Sequence, residues 1–98
     1  MKIECTLLSG NKDLIISIIG RFNHHQMMDF QETYAEKMDV NYIIDLKSTK
    51  SIDTSALGML FCMRKTLGDN ANITIVNSNQ DIKRFFKLSR FDKKFNIE

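Results

Sequence analysis

The period of the apolar positions changes several times along the chain, and each change marks an element. Residues 2–8 alternate well enough for a strand. Ser9, Gly10, Asn11, Lys12 and Asp13 follow as a turn, all but Lys12 of types that tolerate unusual backbone angles or open turns. Residues 14–19 are rich in β-branched apolar side chains, as in a central strand, so the first two strands read as a hairpin. Asn23 can then cap a helix, with Gln26 three positions on at capping-box spacing. Met27, Phe30, Tyr34 and Met38 recur at spacings of three and four, which predicts one core-facing stripe of an amphipathic helix.

Residues 42–46 form another short apolar run, expected to be a strand buried on both faces, and residues 47–51 a polar loop. A helix is predicted over residues 54–67, closed by Gly68, with Arg64 and Lys65 where cations suit the dipole. Residues 72–76 give a further strand. Ser78 or Asn79 can cap a third helix through Leu88 that buries Ile82, Phe85 and Phe86, and residues 95–97 a final edge strand. Past the hairpin, strands alternate with helices, which favours parallel neighbours with right-handed crossovers. The expectation is one α/β domain over residues 1–98: a mixed sheet of four to five strands with about three helices packed against it.

Composition narrows the function classes. At 98 residues there is room for a single domain. A chain with no proline and four glycines is neither a linker nor disordered. Its net charge of +2 does not demand a polyanionic partner. Lys83, Arg84, Lys87, Arg90, Lys93 and Lys94 alternate with Phe85, Phe86, Phe91 and Phe95, which reads as a solvated face with the rings turned inward rather than a nucleic-acid surface. The apolar runs fall far short of the roughly 20 residues of a membrane span, so no membrane insertion is expected. The first residues mix charge with apolar groups and lack the core of a secretory signal. Cys5 and Cys62 have no partners at metal spacing and are read as buried free thiols in a reducing compartment, hence a cytoplasmic location.

Enzyme signatures are missing from the sequence. There is no Gly-x-Ser-x-Gly and no cysteine–histidine nucleophile pattern. Asp45 ends a strand as in a receiver domain, but no acidic pair follows the first strand to hold Mg²⁺. Adjacent His24 and His25 point to different faces of a helix, which suits no single metal. No catalytic residue, metal or cofactor is expected.

The chemistry concentrates at the start of the second helix. With Asp53 as its N-cap, Ile52 and Leu57 take the positions of a hydrophobic staple, and Ser55 falls at the second helical position. A phosphate there would meet free backbone N–H groups and the positive end of the helix dipole, while placing a charge of about −1.5 to −2 on the surface. Hydroxyls are also common at helix starts for capping alone. Gly58 adds a further mark, because glycine inside a helix costs roughly 0.5–1 kcal/mol relative to alanine and calls for close packing or a closely approaching partner.

At these residues the sequence resembles the STAS domain family of anti-sigma factor antagonists. That family's strand ending in Asp-Leu, short loop and Asp-Ser-Ser-Gly-Leu-Gly correspond to Asp45-Leu46 and Asp53-Thr54-Ser55-Ala56-Leu57-Gly58. Ile18-Ile19-Gly20-Arg21-Phe22-Asn23 corresponds to the family's second strand and following loop, which also borders the binding surface, and the likeness extends over essentially the whole chain. Stand-alone antagonists controlled by a response-regulator phosphatase and a kinase-type anti-sigma factor are the nearest group. The resemblance implies a phosphorylation site at Ser55, with Thr54 in reserve, and a partner surface of Asn23, Asp53, Thr54, Ser55, Ala56, Leu57, Gly58 and Met59. It implies partner switching. The unmodified domain binds an anti-sigma factor with serine kinase activity, phosphorylation releases it, and a phosphatase resets it. The domain itself catalyses nothing, contacts no nucleic acid directly and is a monomer or weak dimer. The alternative within the family is an unphosphorylated subunit, a fixed interaction module of a transport or sensory complex. Asn23 stands where the family usually has Asp.

Overall fold

The computed structural model describes every residue except Met1, Ser9, Asn11 and Lys37. Six strands and three helices follow in the order β1 (Lys2–Leu7), β2 (Asp13–Phe22), α1 (Met27–Tyr34), β3 (Asn41–Asp45), β4 (Thr49–Ile52), α2 (Thr54–Leu67), β5 (Ile73–Val76), α3 (Gln80–Leu88) and β6 (Asn96–Ile97). Single 3₁₀ turns at His24–Gln26 and Phe91–Lys93 precede α1 and β6. β1 and β2 form the expected antiparallel hairpin. Of its connection, Ser9 and Asn11 lie outside the described residues, and Gly10 takes φ +90°.

The sheet runs β1-β2-β3-β5-β6, with every pairing after the hairpin parallel. Each parallel step moves the same way across the sheet, so right-handed crossovers bring all three helices to one face. Burial follows that rule. Leu14, Ile16, Ile18, Tyr42, Ile44, Ile73 and Ile75 face the helices and are buried, together with Phe22, Phe30, Leu60, Met63 and Phe86. The alternate residues Ile15, Ser17, Ile43, Asp45, Thr74 and Val76 are only half-buried. Residues 42–46 are therefore not buried on both faces as their apolar run suggests. One face is covered and the other is open.

Four local expectations are corrected. The polar segment after β3 is not all loop: Thr49–Ile52 is β4, parallel to the end of β2. Polarity misled because β4 buries only Thr49, whose hydroxyl donates to the Ile18 carbonyl at 2.5 Å. The α1 stripe is shorter than its spacing implies. Phe30 and Tyr34 are buried, but the helix stops at Tyr34, and Met27 and Met38 stay exposed. Both cysteines are exposed rather than buried, Cys5 on the edge strand and Cys62 on the outer side of α2. In α3, Ile82 and Phe86 are buried while Phe85 is only half so.

Arg64 departs from its expected role as a solvated cation near the helix end. It is 9% exposed, and its guanidinium donates to the carbonyls of Ala71 at 2.7 Å, Lys94 at 2.9 Å and Gly68 at 3.1 Å. It also lies 5.2 Å from the ring centroid of Phe95. Among the described residues no carboxylate pairs with it. The charge is satisfied by a planar fork of donors aimed at three carbonyls, a geometry an ammonium group cannot reproduce. Arg64→Lys is expected to lower unfolding stability by about 2 kcal/mol, the worth of hydrogen bonds to a charged group. Thermal unfolding would show this as a fall of roughly ten degrees in Tm.

Candidate functional site

The site is assembled by the parallel pairing of β2 with β4. Arg21 lies opposite Ser51 and Phe22 opposite Ile52, with a register shift between Gly20 and Arg21. Gly20 takes φ +93° at that irregularity, a backbone region open to glycine and strained for other residues. Because the strands run in register to their ends, the next residue of each, Asn23 and Asp53, emerges on the same side. Asn23 then caps the 3₁₀ turn that leads into α1, and Asp53 caps α2. Asn23 Oδ1 accepts from the His25 N–H at 2.9 Å, and Gln26 Oε1 accepts from the Asn23 N–H at 2.9 Å, completing the predicted capping box. Asp53 Oδ1 accepts from the Ala56 N–H at 3.1 Å. Arg21, Phe22, Asn23, Ser51, Ile52 and Asp53 line a shallow cleft of about 300 Å³ between the two caps.

Ser55 stands at the second position of α2, half-buried, and its hydroxyl donates to Asp53 Oδ1 at 2.5 Å. That bond is the main reason the Asp53 carboxyl is held below the usual aspartate range. Backbone N–H bonds from Ala56 and Ser55 and the nearby charge of His24 assist, against a smaller opposing effect of burial. Thr54 is exposed at the first helical position.

The remaining expected surface residues divide by the helical period. Ala56 and Met59 turn into the core, with Ala56 fully buried and Met59 5% exposed, so their side chains pack the domain rather than face a partner. Leu57 and Ile52 are half-buried, as a staple requires. Gly58 is exposed, and a Cβ built there would meet no atom within 4 Å. Packing within the chain therefore does not account for this glycine. Thr54, Gly58, Phe61 and Lys65 share one face of α2 at intervals of three and four, and Phe61 is 42% exposed on it. Phe61 was not legible as a surface group, because an aromatic in an apolar helix reads as core. Arg21 lies in the segment that the resemblance sets beside the binding surface, whereas Ser51 carries no signal in the sequence that marks it as a cleft residue.

The rings of His24 and His25 do not part to different faces as expected but lie side by side, with centroids 4.2 Å apart and planes tilted by 36°. Among the described residues no group of three His, Cys, Asp or Glu side chains gathers in a metal-binding arrangement. No helix among them is long and apolar enough to cross a membrane. The site thus offers a hydroxyl, a carboxylate, a cation and apolar contact area, which suits a modifiable docking surface.

Comparison with known proteins identifies the family and the fold. The STAS domain family model matches residues 5–98. A STAS-domain containing protein of Pseudomonas aeruginosa is 32% identical over 99% of both chains. Among solved structures, an anti-sigma factor antagonist of Thermotoga maritima described as putative superposes with a TM-score of 0.82 at 17% identity, covering 97% of this chain and 84% of its own. The anti-sigma factor antagonist SpoIIAA in its unphosphorylated form gives a TM-score of 0.74 at 13% identity over 99% and 87%. The phosphorylated form of Bacillus SpoIIAA gives 0.72 at 14% identity over 99% and 91%.

Two measurements check the cap. Asp53→Ala is expected to cost about 1 kcal/mol of unfolding free energy, the usual worth of an N-cap carboxylate. Ser55→Ala removes the hydrogen bond that favours the ionised carboxylate, so an NMR titration should find the Asp53 pKa moved up toward its ordinary value. The sign fixes the pH window. With the folded pKa below the unfolded one, the cap's contribution is complete above the ordinary aspartate range and is lost as pH falls through the folded value.

Proposed function

Because the chain belongs to the STAS domain family, we propose that it is an anti-sigma factor antagonist that works by partner switching. The observation that carries this is the setting of Ser55, a hydroxyl at the second position of a capped helix beside the exposed, unpacked Gly58. In the unmodified state Thr54, Ser55, Leu57, Gly58 and the neighbouring Asn23 and Asp53 form the docking surface for an anti-sigma factor. Gly58 lets that partner's backbone approach closely, and the missing side chain is the cost the helix bears for it.

Phosphorylation of Ser55 by the anti-sigma factor's kinase activity reverses the local electrostatics. The hydroxyl proton that Asp53 accepts is lost, and two anions stand two residues apart. The helix N-terminus tolerates the new charge, so the fold survives while the surface changes. A phosphatase linked to a response regulator then removes the phosphate. The domain is the substrate of both enzymes and catalyses neither step, and it works in the cytoplasm. That SpoIIAA has been solved on this fold in both unphosphorylated and phosphorylated forms supports the reading. One observation favours the fixed-module alternative: the Ser55 hydroxyl already serves the cap by bonding Asp53.

Incubation with ATP and the candidate kinase, followed by mass spectrometry, separates the two. Phosphate on Ser55 is the expected result, while modification elsewhere with Ser55 untouched sinks the switch. Ser55→Asp should weaken binding of the anti-sigma factor and leave unfolding stability within about 1 kcal/mol. Gly58→Ala is expected to split the two properties. It should stabilise the domain by about 0.5–1 kcal/mol, since the added methyl meets nothing in the chain, and lower affinity for the partner in a calorimetric titration. Tighter or equal binding would show that no close approach occurs at this position.

A further inference from the structure

The two ends of the sheet treat their free edges differently. β6 is two residues long and offers little template for another strand. β1 has six residues, contains no proline and pairs with β2 without a bulge. Its free hydrogen-bonding groups follow from parity. The Leu8 N–H donates to the Asp13 carbonyl at 2.9 Å, and hydrogen-bonded pairs alternate along an antiparallel ladder. With Lys2 opposite Ile19 and Leu7 opposite Leu14, the backbone groups of Lys2, Glu4 and Thr6 turn toward β2. Those of Ile3, Cys5 and Leu7 turn outward. The same three side chains share the helix-bearing face with Ile18, Ile16 and Leu14. That face of β1 is only partly covered: Ile3 packs against the core, while Leu7 is 44% exposed and a groove of about 410 Å³ lined by Cys5, Leu14, Glu32, Glu36, Met38 and Tyr42 opens beside the strand.

We propose that this edge is an interface for a second copy of the chain, joined by antiparallel β1–β1 pairing centred on Cys5. The self-complementarity of the edge selects that occupant. A twofold axis perpendicular to the sheet keeps both helical layers on one side and sets residues of equal parity opposite each other. Two registers then overlap the strands almost fully. Centring on Glu4 would oppose two carboxylates, which is destabilising. Centring on Cys5 places Ile3 against Leu7 of the second copy, Glu4 against Thr6 and Lys2 against Leu8. Apolar side chains meet across the helix-bearing face, and no like charges are paired. The outward N–H and C=O groups of Ile3, Cys5 and Leu7 all find partners. The two Cys5 Cα atoms come to about 5.5 Å, the spacing of a hydrogen-bonded pair, which is within reach of a disulfide.

Analytical ultracentrifugation of the unmodified chain is expected to show a concentration-dependent dimer, weakened about tenfold by Leu7→Lys, with circular dichroism unchanged. In a Cys62→Ser background Cys5 is the single thiol, and copper-phenanthroline oxidation should trap a covalent dimer. Hydrogen exchange guards against a variant that fails to fold: in the unmodified chain the amides of Ile3, Cys5 and Leu7 should gain protection in step with dimer formation. A chain that stays monomeric overturns the proposal. So does a dimer whose amides at these positions exchange freely, and protection seen only on mixing with a different protein excludes the second copy as occupant.

Discussion

The parallel pairing of β4 with the last residues of β2 is the contact on which the site depends. β2 is ten residues long and serves three neighbours: β1 and β3 along its first part, β4 at its end. The change of partner is made by Gly20 with its positive φ, and it is fastened by the buried Thr49 hydroxyl on the Ile18 carbonyl and by the Gly20 N–H on Ser48. Without this splice, Asn23 and Asp53 would end two unrelated loops. With it, two helix caps face each other across one cleft. Each cap uses its own side chain to satisfy first-turn N–H groups, so the cleft has rigid rims.

Much of this was legible in the chain, for identifiable reasons. The hairpin, the three helices and the capping residues Asn23, Asp53 and Asn79 are local features, and local hydrogen bonding places them as expected. What was not legible is what depends on distant partners. Residues 49–52 look like a loop because their strand character comes from β2, some thirty positions earlier, and not from their own side chains. Residues 42–46 look doubly buried because an apolar run cannot report that all helices take one face. Arg64 reads as a dipole-matching cation until the carbonyls of Ala71 and Lys94 are brought to it. Ala56 lies within the family's motif and Met59 in the expected partner surface beside it, but helical geometry turns both inward.

The helix that Asp53 caps carries features that stability alone would not select. A glycine with open space around it weakens α2, and Phe61 remains exposed on the same helix face. Exposure of large apolar side chains is not confined to that face, since Met28 and Leu88 also stand open, while Phe86, Phe91 and Phe95 stack in sequence under the last segment. Gly58 and Phe61 share the outer face of the helix that Asp53 caps, the face that the proposed docking surface occupies.

The fork made by Arg64 has a consequence for how the domain assembles. One of its acceptors lies thirty residues downstream, in the segment that also supplies Phe95. Any partly folded species in which α2 has docked but that segment has not would hold a desolvated guanidinium with part of its donor set idle. Such species are disfavoured, so the last strand is coupled to the centre of the core and is no late appendage. The domain should therefore gain its structure as one cooperative unit, with closure of the Arg64–Lys94 contact as part of that single transition.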